Sequence, residues 1–342
     1  MFKEIEARHL VENIENYLVV DIRSPSEYRE FHIPGAVNVP LFSDEEKRII
    51  GEIYRLEGQE IAKEEGLKII SPKLYNFYLK FRELNSLGKE IVVYCWRGGM
   101  RSMAMCSFIS GMGIPVLRLK GGYRAFRKYI LESLDRLIES KNFIVITGKT
   151  GVGKTKILRI LKEEGFPVLD IEGLAKDRGS AFGKVGISER LSQKMFDSLL
   201  FFELRNIKEG NVIVEDESRR IGNIHLPEKL VGKIEKGFRI EINTTFENRI
   251  NIIKNEYLRN VRYEEIKSSI FKISKYIGKE HLNYLLKLLE ERKYEEISEF
   301  LMKNYYDRKY KRVRKEDLYI FYKDINFAVR EIKKIFASFC SV

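Results

Sequence analysis

Twice in this chain a short run of branched apolar residues ends in a glycine-rich loop that passes directly into a helical pattern. The first run is Ile91-Val92-Val93-Tyr94, followed by Cys95-Trp96-Arg97-Gly98-Gly99-Met100-Arg101-Ser102. The second is Phe143-Ile144-Val145-Ile146, followed by Gly148-Lys149-Thr150-Gly151-Val152-Gly153-Lys154-Thr155. A loop of this kind belongs at the carboxyl end of a buried strand, where the N–H groups of the next helix face it. The pair therefore predicts two successive α/β layers built on parallel sheets. Tyr17-Leu18-Val19-Val20 and Val116-Leu117-Arg118-Leu119, the latter ending in Gly121-Gly122, read as further strands of the first layer. Phe143–Thr147, Pro167–Asp170, Val212–Glu215 and Phe238–Ile242 read as strands of the second.

A length of 342 residues suits two or three domains. The expected division is an α/β domain over 1–125, a helical linker over 126–141, a second α/β domain over 142–243, and a basic, mostly helical region over 244–342. The texture changes at that last boundary. All seven prolines lie at or before Pro227. Leu282, Leu285, Leu286 and Leu289 recur at the spacing of one apolar helix face.

Hydrophobic residues make up 44% of the chain and charged residues 33%, which excludes a disordered protein. No apolar stretch approaches the eighteen residues of a membrane span, and the start lacks the apolar core of a signal peptide. Cys95, Cys106 and Cys340 are sparse and odd in number, which fits a reducing cytoplasm with free thiols. The net charge is +12. Residues 243–342 hold 22 Lys and Arg against 15 Asp and Glu, so they carry +7 of it. Arg308, Lys309, Lys311, Arg312, Arg314 and Lys315 lie beside Tyr305, Tyr306 and Tyr310. Cations can track phosphates and tyrosines can stack on unpaired bases. A solvated helix face is the other reading of such a run.

In the first loop, Gly98 and Gly99 permit the positive φ values of a backbone nest, and Arg101 offers a fork for oxyanions. A thiol in such surroundings is lowered toward its nucleophilic thiolate. Cys95, Arg97, Gly98, Gly99 and Arg101 are the candidate catalytic set. Cys106, eleven residues on, reads as core packing or a resolving thiol. In the second loop, Gly148-x4-Gly153-Lys154-Thr155 is a complete phosphate-loop pattern in its strand–loop–helix setting. Gly148, Gly151, Gly153, Lys154 and Thr155 are the expected phosphate-binding residues, with Lys154 on terminal phosphates and Thr155 on Mg²⁺. The pattern says polyphosphate and leaves ATP open. Glu215 and Asp216, at the end of Val212-Ile213-Val214, are candidates for ordering Mg²⁺ or water. Arg219 and Arg220 are candidates for a phosphate clamp or a solvated turn.

The first region resembles the rhodanese family. The resemblance rests on Val20-Asp21-Ile22-Arg23-Ser24-Pro25-Ser26-Glu27-Tyr28, His32-Ile33-Pro34-Gly35-Ala36-Val37-Asn38-Val39-Pro40 and Leu119-Lys120-Gly121-Gly122-Tyr123. It implies a loop cysteine that carries sulfur or selenium, and a His32 kept as scaffold. Arg101 stands six residues after Cys95, which is the Cys-x5-Arg spacing of phosphatases that share the fold. The fusion to a phosphate-loop domain carrying Glu215-Asp216-Glu217-Ser218-Arg219-Arg220-Ile221-Gly222, with the run Leu169 to Gly183, resembles the tRNA 2-selenouridine synthases. In that family His often stands where this chain has Asp177.

That resemblance implies an N-terminal rhodanese-like parallel-sheet domain, then a P-loop NTPase-like α/β domain with a helical C-terminal region. It implies exchange of sulfur for selenium in wobble 2-thiouridine of lysine, glutamate and glutamine tRNAs. Selenophosphate and geranyl diphosphate are the implied co-substrates, and a selenophosphate-supplying enzyme is a conceivable partner. Arg178, Lys309, Lys311, Arg312, Arg314, Tyr306 and Tyr310 are the candidate tRNA contacts. Two other classes stay open: a P-loop ATPase or kinase with a regulatory rhodanese module, and a Cys-x5-Arg phosphatase.

Overall fold

Each loop follows the middle strand of a five-stranded parallel sheet in the computed structural model, which describes residues 2–177, 191–257, 263–310 and 316–340, without the side chains at 256, 257, 265, 309 and 340. The chain divides into two compact units. One holds Met1–Leu134 with Asp197–Leu199, and the other holds Asp135–Phe196 with Leu200–Val342.

The first unit runs β1 (Lys3–Ile5), α1 (Ala7–Glu12), β2 (Tyr17–Asp21), α2 (Pro25–Glu30), β3 (Val37–Asn38), α3 (Asp44–Leu56), α4 (Gln59–Ile70), α5 (Leu74–Asn85), β4 (Glu90–Tyr94), α6 (Met100–Gly111), β5 (Val116–Leu119) and α7 (Gly122–Glu139). Its sheet order is β1-β5-β4-β2-β3, all parallel. Tyr17 pairs with Glu90 and Asp21 with Tyr94, so the carboxyl ends of β2 and β4 lie level. Val20, Ile22, Ile91, Val93 and Ile109 fill its core. Such near-continuous apolar strands are what a sheet covered on both faces needs. The stretch expected as a linker lies largely within α7, a continuous helix whose Phe126, Ile130, Leu134 and Ile138 are buried at four-residue spacing.

The second unit runs β6 (Asn142–Thr147), α8 (Lys154–Glu163), β7 (Val168–Leu169), α9 (Ile171–Ala175), α10 (Gln193–Asn206), β8 (Asn211–Glu215), β9 (Arg220–Ile221), β10 (Ile224–His225), α11 (Glu228–Lys236), β11 (Phe238–Thr244), α12 (Phe246–Tyr257), α13 (Tyr263–Glu290), α14 (Tyr294–Leu301), α15 (Asp307–Lys309), β12 (Leu318–Tyr322) and α16 (Ile325–Cys340). Its main sheet is β12-β11-β6-β8-β7, all parallel, and β9 pairs antiparallel with β10. The region expected to be mostly helical thus also supplies a strand. Leu318-Tyr319-Ile320-Phe321-Tyr322 is rich in aromatic and branched residues, and Ile320 and Tyr322 turn into the core while their neighbours stay exposed. Leu285 and Leu289, from the leucine stripe, are fully buried in a separate helical cluster with Ile270 and Ile297. Gly278, at φ +80°, breaks α13 into two helical segments.

One buried ion pair ties the loop-bearing end of the first sheet together. Arg23 and Asp21 are both wholly inaccessible, with Nη2 2.6 Å from Oδ2. Arg23 also donates to the Phe31 carbonyl at 2.6 Å. Tyr94 donates its hydroxyl to Asp21 at 2.7 Å and accepts from the Ile33 N–H at 3.1 Å. Burial and the charge of Asp21 push the Tyr94 hydroxyl well above its ordinary range, so it remains a donor. Removing one partner of such a pair strands the other charge in a dry site, at a cost of about 3–5 kcal/mol. Asp21→Ala should therefore lower the stability of the first unit by about that much, measured by denaturant unfolding. A loss within about 0.5 kcal/mol, the range of ordinary surface changes, would contradict this role.

Candidate functional site

Cys95 directly follows β4, and its side chain is only 2% exposed. Its thiol donates to Ser102 Oγ at 3.3 Å, and Ser102 donates to the Gly99 carbonyl at 3.1 Å. A hydroxyl can either accept from the sulfur or donate to it. The loop is closed from behind by the turn after β5. Tyr123 N–H donates to the Cys95 carbonyl at 2.9 Å, Arg124 N–H to the Trp96 carbonyl at 3.0 Å, and Arg118 to the Gly98 carbonyl at 2.8 Å. Gly122 approaches so closely that a Cβ there would lie 2.3 Å from the Cys95 carbonyl oxygen. Gly98 has φ +64°, and α6 opens at Gly99 without a side-chain cap. Trp96 stacks on Tyr123 with centroids 5.6 Å apart.

Arg97 is exposed. Arg101 lies 3.4 Å from Glu27. Burial works against the charge on Glu27, but Arg101, the Ser24 N–H and Lys47 outweigh it and hold the carboxyl below its ordinary range. His32 bonds the Tyr28 carbonyl at 2.9 Å and stacks on the Tyr28 ring, as a scaffold residue does. Cys106 is wholly buried on α6, and burial pushes its thiol up to about 12, so it packs the core as an unreactive thiol.

In the second unit, Gly148, Gly151 and Gly153 take φ values of +143°, +82° and +75°. Lys154 reaches back to the Gly148 carbonyl at 2.9 Å and lies 3.5 Å from Glu215. Thr155 donates to Glu215 at 3.1 Å. Asp216 turns the other way. It pairs with buried Arg239 on β11 and accepts from Thr147 at 3.3 Å. Glu217 and Glu172 join Glu215 instead, their carboxylate oxygens all within 4.8 Å of one another. Alternation along an extended chain places 215 and 217 on one side and 216 on the other, a signal that was present in the sequence. The three carboxylates beside Thr155 are a donor set suited to a divalent cation.

Arg219 lies 3.2 Å from Glu235 and Arg220 donates to the Gly222 carbonyl at 2.9 Å, both exposed on the small hairpin. Tyr306 packs at the edge of the helical cluster against Tyr305. Tyr310 lies 3.3 Å from the Thr147 hydroxyl. Arg178, Lys311, Arg312, Arg314 and the side chain of Lys309 fall outside the described residues. Among the described residues, no helix is long and apolar enough to cross a membrane.

Comparison with known proteins identifies the family. A family model described as the tRNA 2-selenouridine synthase AAA domain matches residues 141–334, and a rhodanese-like domain model matches residues 6–129. The chain belongs to the tRNA 2-selenouridine synthase family. A relative of that name from Sulfurovum sp. is 32% identical over 74% of this chain and 70% of its own. Another from Nitrosomonas europaea is 33% identical over 70% of this chain and 63% of its own, and one from Marinobacter nauticus is 34% identical over 71% and 66%. The matches to the last two thus span just under two thirds of those relatives.

Two of the three carboxyls, Glu215 and Glu217, are raised above their ordinary range. Burial, then the charges of Glu215, Glu172 and Asp216, push Glu217 well above its ordinary range, against the opposing pull of Lys154. A carboxyl raised in the folded state stabilises the fold below its unfolded value, and that contribution is lost as pH rises through the folded value. Glu217→Gln removes the loss. It should raise the melting temperature of the metal-free protein at pH 8, and the gain should shrink toward pH 5. A pH-independent difference would contradict the assignment.

Proposed function

We propose that this chain is a tRNA-modifying transferase that exchanges sulfur for selenium at C2 of wobble 2-thiouridine, with selenophosphate as the selenium source. The exchange passes through an S-geranyl intermediate made from geranyl diphosphate. The observation that carries this reading is the presence in one chain of two braced anion loops, one with a thiol at its floor and the other a complete phosphate loop. In the first step the uridine sulfur bonds C1 of the geranyl group, the C1–O bond breaks, and N3 gives its proton to solvent, to be regained when 2-selenouridine forms. Diphosphate leaves in contact with Lys154 and the loop amides. In the second step selenium bonds C2 and the C2–S bond breaks, with geranylthiol as the leaving group. The Se–P bond is hydrolysed to phosphate. Alkylation makes the sulfur a far better leaving group, which is the chemical reason for two steps.

On this reading Cys95, Arg97, Gly98, Gly99 and Arg101 serve the selenium step. Thr155, with Glu215, Glu217 and Glu172, would hold Mg²⁺ against the diphosphate. The lysine, glutamate and glutamine tRNAs are the substrates. Tyr310, the cation run after it, Arg178, Arg219 and Arg220 are the proposed contacts to their phosphates and bases, and the cytoplasm is the proposed compartment.

Mass spectrometry of nucleosides from a 2-thiouridine tRNA, with geranyl diphosphate and selenophosphate added in turn, tests the reading through two variants. Cys95→Ala should still form S-geranyl-2-thiouridine and should form no 2-selenouridine. Lys154→Ala loses a charged contact of about 1.5–3 kcal/mol. It should raise KM for geranyl diphosphate roughly tenfold to a hundredfold. Normal 2-selenouridine formation by the cysteine variant, or an unaltered KM in the lysine variant, would overturn the division of labour.

A further inference from the structure

The phosphate loop of the second unit is held by residues far along the chain. A backbone nest that presents N–H groups to an anion turns carbonyls away from it, and buried carbonyls need donors. Arg249, on α12, supplies two donors to the Thr150 carbonyl, from Nε at 2.9 Å and Nη2 at 2.7 Å. Tyr322, on β12, donates to the Val152 carbonyl at 2.7 Å. The fit is close: a Cβ at Gly151 would lie 3.2 Å from the Arg249 carbonyl oxygen and 3.0 Å from Ile253. Arg249 is only 5% exposed, and its fork is fixed by Asp307. Nη1 and Nη2 reach Oδ2 and Oδ1 of Asp307 at 2.9 and 2.6 Å. Asp307 opens α15 directly after the π-helical turn Met302–Tyr306. Its Oδ2 also lies 3.6 Å from the ammonium of Lys149, within the loop itself.

We propose that Arg249 and Asp307 form a positioning pair that shapes the phosphate loop for a diphosphate, so that the C-terminal region sets the affinity of that loop. The inference deepens the diphosphate reading above and rests on it. Arg249 suits the role because its planar fork can serve a carbonyl and a carboxylate together. A lysine ammonium has three donors on one atom and could not reproduce both two-point contacts. In this role neither residue need touch the phosphates. Asp307 acts through Arg249, and Arg249 acts through the Thr150 peptide.

The sign of one effect separates this from simple electrostatics. Asp307 is a negative charge beside an anion site and against Lys149. By charge alone, Asp307→Asn should tighten diphosphate binding. A positioning role predicts the opposite, because the Arg249 fork is released and the loop loses its shape. The experiment is calorimetric titration of the full chain with inorganic pyrophosphate and Mg²⁺, alongside thermal melting. Asp307→Asn should weaken pyrophosphate roughly tenfold or more, the loss of one charged hydrogen bond. Asp307→Glu should recover most of the affinity, since it restores the carboxylate. Arg249→Lys keeps the charge and should weaken binding as Asp307→Asn does. Tighter or unchanged binding in Asp307→Asn overturns the proposal, and so does unchanged binding in Arg249→Lys. A wild-type chain that binds no pyrophosphate would instead sink the diphosphate reading, and this inference with it.

Discussion

An anion-binding backbone loop exists only if the carbonyls it turns outward are held by something else. Both loops of this chain obey that constraint, and much of the surrounding structure follows from it. In the first unit the Cys95, Trp96 and Gly98 carbonyls are taken by Tyr123 N–H, Arg124 N–H and the Arg118 side chain. In the second the Gly148, Thr150 and Val152 carbonyls are taken by Lys154, Arg249 and Tyr322. The solutions differ in kind. The cysteine loop is braced by a neighbouring turn packed so tightly that Gly122 admits no side chain. The phosphate loop is braced largely by side chains that lie 99 and 170 residues further along the chain.

The buried charges complement this arrangement. Asp21 and Arg23, with Tyr94 and the Phe31 carbonyl, lock the ends of β2 and β4 where Cys95 emerges. Arg239 and Asp216 lock β11 to the end of β8, beside the phosphate loop. The first pair lies at the carboxyl end of its parallel sheet, which is where α/β folds place their ligands, and the second joins the start of β11 to the carboxyl end of β8. Against that rigid frame, the Glu172, Glu215 and Glu217 cluster concentrates negative charge beside Thr155 and Lys154.

What was legible in the sequence was local. Apolar runs ending in glycine loops marked β4 and β6, and with them the architecture of both units and the placement of Cys95, Lys154 and Thr155. β12 was less visible because it lies in a long region dominated by helical spacing, although its alternation of buried and exposed residues is plain once sought. Glu217 is less legible than Asp216 because its place beside Glu215 follows from the two-residue period of an extended chain and not from adjacency in the sequence. Arg249 and Asp307 were out of reach altogether. They stand 58 residues apart, neither belongs to a motif, and only the packing of α12 and α15 onto the phosphate loop joins them. Asp21 and Arg23 lay within a recognised motif, but their role needs Tyr94, 73 residues from Asp21.

On the proposed reading, Gly148 to Thr155 form a backbone nest for a diphosphate, held open from behind. Hydrogen–deuterium exchange of the full chain, with and without inorganic pyrophosphate and Mg²⁺, tests it most directly. Exchange should slow in a peptide covering 148–155, with a smaller effect at 249–253 and none at 95–102. Protection confined to other segments, with the 148–155 peptide unchanged at saturating pyrophosphate, would contradict it.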